Sequence, residues 1–123
     1  MKEAHTPVRP LGDFLRVLAP PAIWFMHLVV IYGAEALICT GPSPAGETAM
    51  VRVVVLATVA ALIGLVVSAA VVIRPGFIFA ARPGGGSTFL AGTALMLTVL
   101  AGLAVIWAAV PALALPACAA PAG

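Results

Sequence analysis

Residues 53–73 read VVVLATVAALIGLVVSAAVVI, an unbroken apolar run without a single formal charge. As a helix rising about 1.5 Å per residue it would cover about 30 Å, the thickness of bilayer hydrocarbon. Two further runs have similar length. One extends from about Pro20 to Thr40 and begins PPAIWFMHLVV; the other extends from about Thr88 to Val110. In lipid only helices or a closed barrel leave no backbone group unsatisfied, and no apolar/polar alternation is present to support a barrel. The expected fold is therefore all-α: an integral membrane three-helix bundle within one membrane domain, residues 1–123. Its spans are expected at about 20–40, 53–73 and 88–110, with an N-terminal segment 1–19 and a tail 111–123.

Composition agrees. Of the 123 residues 63% are hydrophobic and 8% charged, against roughly 25% charged in soluble domains. A soluble domain this small leaves too much surface in water to hide so many apolar side chains. A net charge of +2, with bases scattered between apolar runs, argues against nucleic acid as a partner. Heavy use of Ala, Gly, Val and Leu suits a bacterial sequence, and the expected location is the bacterial inner membrane.

Punctuation places the span limits. Pro20 and Pro21 suit a helix start, where a missing donor costs little. Gly41–Gly46 (GPSPAG) and Pro83–Ser87 (PGGGS) read as turns, and Pro111 as the close of the third helix. Pro83–Ser87 lacks the strand and motif context of a phosphate loop. No period of 20–50 residues recurs, so no repeat architecture is expected. The first run is too long for a signal-peptide core and contains Glu35, so an uncleaved span is expected. For Leu11–Ala19, with Asp13 and Arg16, two readings stay open: a segment along the inner membrane surface, or a frayed end.

Basic residues set the orientation. Lys2, Arg9 and Arg16 precede the first span, Arg74 and Arg82 lie between the second and third, and only Arg52 falls on the other side. Cytoplasmic segments are the ones enriched in Lys and Arg, so the N-terminus is expected inside and the C-terminus outside. Phe77 and Phe79 are expected at the inner interface and Trp107 near the outer one. Cys39 and Cys118 then share the outer, oxidising side, where disulfides form. A Cys39–Cys118 bond is one reading; two unrelated small apolar residues is the other. Two isolated thiols lack the four-ligand set of a zinc site, and no metal is expected.

Small residues recur every fourth position in helix two (Ala60, Gly64, Ser68) and helix three (Ala94, Thr98, Gly102). Such stripes let helices approach closely in lipid, so these six are expected at the contact between helices two and three.

The polar residues of the first span are Trp24, His27, Tyr32, Glu35 and Cys39. At 100° per residue they fall within an arc of about 140°. Ionisable residues inside a membrane are candidates for function, with a partner to be named. Arg52, across a short hairpin at similar depth, is the expected partner of Glu35. A proton- or cation-handling carboxylate is the alternative. For His27 the plain expectation is a hydrogen bond between helices. A haem would need a second axial ligand, such as Met96 or a second His27 in a dimer; no cofactor is expected. Trp24 and Tyr32 pack against a neighbouring helix or line a quinone or lipid site. No nucleophile–base pair or metal-ligand cluster stands out, and no enzymatic activity is expected.

The order Trp24-x2-His27-x4-Tyr32-x2-Glu35-x3-Cys39, behind a proline pair, resembles a loose group of small, mostly uncharacterised bacterial membrane proteins encoded beside haem–copper terminal oxidase genes. The resemblance covers about twenty residues of helix one. It implies an accessory or assembly role near a respiratory complex and no established chemistry for His27 or Glu35. Small multidrug transporters also place a Glu in their first helix, but they have four spans where three are read here. Three functions follow. The leading one is a non-catalytic accessory subunit or assembly factor of a larger membrane complex, partnered by other membrane subunits or by itself. The others are a small proton- or cation-coupled transporter or channel using Glu35 and His27, and a haem or quinone protein.

Overall fold

A computed structural model describes residues 10–40, 46–74 and 86–116. They form three helices: α1 (Pro10–Ile38), α2 (Gly46–Ile73) and α3 (Gly86–Ala114). Each packs against the other two. All three are long and apolar enough to cross a membrane. At 28 or 29 residues each measures about 42 Å, longer than the roughly 30 Å of hydrocarbon, so every helix is long enough to reach the headgroups on both sides.

The helices extend beyond the expected spans. α1 begins at Pro10, so Leu11–Ala19 is neither a separate surface segment nor frayed, and Pro20 and Pro21 lie inside the helix. Proline lacks the N–H that would bond the carbonyl four residues back, yet the helix runs on through both, with Pro20 fully buried in the bundle. Likewise Pro111 does not close the third helix. α3 runs on to Ala114, and the Leu115 amide donates to the Pro111 carbonyl at 3.0 Å. Of the expected turns, residues 41–45 and 83–85 lie outside the described residues, while Gly46, Gly86 and Ser87 already belong to helices.

The interior is thin. One cluster, Ile31, Met50, Val54 and Ala109, lies toward the end where α1 finishes and α2 begins, here called the hairpin end. A second, Ala61, Leu65, Ala101 and Val105, lies deeper, with Ile23, Trp24 and Leu62 packed against it. Most large apolar side chains face outward, including Leu37, Leu56, Val66 and Trp107. In water such a surface would be untenable; in lipid it is ordinary.

Helices two and three do touch, with Gly102 among the contact residues as expected and Ala61, Leu65, Ala101 and Val105 in place of most of the others. Ala61 and Leu65 meet Ala101 and Val105, one position on from the Ala60–Gly64 stripe. A Cβ on Gly64 would stand 3.4 Å from Ile23 Cδ1, so Gly64 seats α1. A Cβ on Gly102 would face Leu65, and Ala94 is buried, so two members of the helix-three stripe do line the interior. Ser68 and Thr98 donate their hydroxyls to the Gly64 and Ala94 carbonyls of their own helices, both at 2.8 Å. Such bonding one turn back removes them as polar glue between helices.

Candidate functional site

Facing positions of α1 and α2 have numbers summing to about 85, as His27 with Thr58 and Ile31 with Val54 illustrate. This antiparallel register sets the depth of every polar group. His27 is 3% exposed. Its Nε2 is hydrogen-bonded to Thr58 Oγ1 at 3.1 Å, halfway along both helices. Its Nδ1 is buried and makes no hydrogen bond. Helix-two residues Ala57, Ala60 and Ala61 line a cavity beside the ring, of about 270 Å³, together with Ile23, Met26 and Val30. The small residues are what let the imidazole sit between the helices.

The polar stripe of α1 does not act as one face. His27 turns toward α2, and Trp24 packs half-buried on the deeper cluster. Glu35 and Tyr32, about 80° and 140° around the helix from His27, border α3. They line a second cavity of about 260 Å³ at the hairpin end, with Ile31, Met50, Ala108 and Ala112 among its walls. Tyr32 is 65% exposed and forms the rim; Glu35 is half-buried. His27 and Glu35 are eight residues apart, about 12 Å along the axis, and open on different sides of α1.

The expected Glu35–Arg52 ion pair does not form. Among the described residues the ion pair is Arg16 with Asp13, at 3.1 Å on the exposed first turns of α1. By the register, Arg52 faces the level of residue 33, two residues from Glu35, and it is rotation about α2 that keeps the two apart. Met50 points into the Glu35 cavity, and Arg52, two residues on, lies about 200° around the helix. It is exposed, on the outward face of α2 beside Val51, Val55 and Leu56.

Nor does the fold bring Met96 to His27. Met96 is 70% exposed and lies in a shallow recess of α3 with Phe89, Gly92, Thr93 and Leu97. Cys39 follows the last turn of α1, its amide donating to the Glu35 carbonyl at 3.0 Å, and it is not a free thiol. Cys118 lies outside the described residues, as do Lys2, His5, Arg9, Phe77, Phe79 and Arg82. Among the described residues no three His, Cys, Asp or Glu side chains come together as a metal site.

Two features escaped the sequence: Thr58 as the partner of His27, and the cavity joining Glu35 and Tyr32 to α3. Thr58 could have been found by counting, since it lies as far from the hairpin along α2 as His27 does along α1. No protein-family model, curated protein or solved structure matches this chain.

Proposed function

We propose that the chain is a non-catalytic accessory subunit or assembly factor that docks sideways onto a larger complex in the bacterial inner membrane. The observation that carries this is Arg52. It stands on the outward face of a membrane helix, ringed by Val51, Val55 and Leu56, with no ion pair to Glu35. A cation placed there calls for an acidic or carbonyl-rich partner at the same depth. The resemblance of the α1 motif to proteins encoded beside haem–copper oxidases supports a respiratory oxidase as that partner. The five-to-one distribution of bases supports the N-terminus inside and the hairpin end outside, and a Cys39–Cys118 disulfide there would tie the tail after α3 to the end of α1.

A transport route shared by Glu35 and His27 is less well supported, because the two line separate cavities with no residue in common. The test is affinity purification of the tagged full chain from native membranes in mild detergent. Oxidase subunits are expected to co-elute, to be retained by Arg52→Lys and lost by Arg52→Glu. A photo-crosslinker at Leu56, one turn along the same face, is expected to label the same subunits. Elution of the chain alone, or retention of the partners by Arg52→Glu, would overturn the proposal.

A further inference from the structure

The cavity at the hairpin end has a chemistry that the docking proposal does not use. Its walls are apolar (Ile31, Met50, Ala108 and Ala112), its rim is the Tyr32 ring, and its single formal charge is Glu35. Of the chain's six basic residues, Arg52 is the one placed in sequence next to this end, and it faces away. The neighbouring segments 41–45 (GPSPA) and 117–123 (ACAAPAG) contain no base. A carboxylate against apolar walls gains most from a cation that arrives from outside the chain, because low-dielectric surroundings strengthen the attraction. Tyr32 offers the face of a ring to the same cation. Glu35 lies three residues before the end of α1, about 5 Å along the axis, where headgroups meet hydrocarbon. Leu28, two turns before Glu35 on α1, lines the same cavity as Ala108 of α3, so its apolar wall runs between α1 and α3 away from the carboxylate.

We propose that this cavity binds the ammonium head of an amphiphile, with Glu35 as its counter-charge, Tyr32 over its face and its hydrocarbon tail lying along the α1–α3 groove. An anionic head is excluded by the carboxylate. A neutral one leaves the carboxylate uncompensated in an apolar wall. The ammonium can come from a phospholipid headgroup or from a free long-chain amine, and both present the same group at the same depth. The site stands apart from the docking face, which rests on Arg52.

The test uses the purified full chain, labelled at its methionine methyls, in nonionic maltoside micelles. Met50 lines the cavity; Met26 and Met96 face elsewhere and report that the bundle stays intact. The probes are dodecylammonium and dioleoylphosphatidylethanolamine, each with a partner lacking the cation: dodecanol, and the N-acetylated lipid. Saturable movement of the Met50 signal with either cationic probe, and not with its neutral partner, supports the site. Response to the lipid alone assigns a headgroup, to the amine alone a free amphiphile. Glu35→Gln is expected to weaken binding at least tenfold and Glu35→Asp less. Ala108→Leu, which fills the cavity and keeps the carboxylate, is expected to abolish it. The inference is overturned if dodecanol moves Met50 as far as the amine does. It is equally overturned if Glu35→Gln binds within twofold of the parent, or if no probe gives a saturable shift.

Discussion

Thr58→Val tests the centre of the bundle, because it removes a hydroxyl while keeping the shape of the side chain. Hydrogen bonds between membrane helices average about 0.6 kcal/mol and reach about 1.7. Leaving a buried polar group without a partner costs about 1–3 kcal/mol. His27 Nδ1 already makes no hydrogen bond, so losing Thr58 strips the ring of its remaining partner at a site 3% exposed. We expect a loss near the upper end for membranes, about 1.5 kcal/mol, or roughly tenfold in the folding constant. His27→Leu should behave oppositely. It replaces both buried nitrogens with hydrocarbon of similar volume, and the Thr58 hydroxyl can turn to a carbonyl of its own helix, as Ser68, Thr93 and Thr98 already do. Its expected cost is within about 0.5 kcal/mol of zero, and the double variant should match it. Reversible unfolding in mixed micelles, titrated with a denaturing detergent, measures all three. If His27→Leu costs more than Thr58→Val, the imidazole is held for more than this hydrogen bond and the reasoning fails.

Four further outcomes follow from the packing. Cysteines at Ile23 and Gly64 should crosslink readily, whereas a pair at Gly64 and Thr98 should not; mass spectrometry after mild oxidation decides. Gly64→Ala adds a methyl at ordinary contact distance, 3.4 Å from Ile23, and should be tolerated, while Gly64→Leu should part α1 from α2 and abolish the 23–64 type of crosslink when read at neighbouring positions. Val105→Ala, at 0% exposure, should cost about 1–2 kcal/mol in lost packing, and Val99→Ala on the lipid side should cost almost nothing by the same unfolding assay. Trp107, 81% exposed, should be quenched strongly by brominated lipid in a single-tryptophan variant, and half-buried Trp24 weakly; equal quenching would contradict the helix rotations described above.

Positions along the helix axes are legible in the sequence, and rotations about those axes are not. Three apolar runs of the right length could only be three helices, and their residue numbers fix depth through a constant rise. That is why Glu35 and Arg52 were placed at nearly the same level. Rotation depends on which side of a helix is apolar, and in lipid every side is. Gly64 could have faced either neighbour, since Ala60–Gly64 and Ala61–Leu65 are both narrow strips of small or slender residues. The choice came from Ile23 needing the hollow at Gly64 while Leu65 filled the space beside Gly102. Thr58 carries no distinguishing signal, since a threonine inside an apolar run more often bonds its own helix than a neighbour's side chain. The helix ends were misjudged for a different reason: Pro20, Pro21 and Pro111 stop helices in water, but a packed bundle in lipid holds the turns together around them.

The two prolines inside α1 act as a waterline. Neither can return the hydrogen bond that its position in the helix owes to the turn before it, and oily surroundings offer no substitute donor. The two carbonyls concerned, those of Arg16 and Val17, are most cheaply satisfied by water or headgroups, which favours keeping that turn at a membrane edge. From residue 18 to the end of α1 at Ile38 the rise is about 30 Å, the full hydrocarbon thickness. With that turn at one edge, the rest of α1 is just long enough to cross, and Glu35 falls within a turn of the opposite rim.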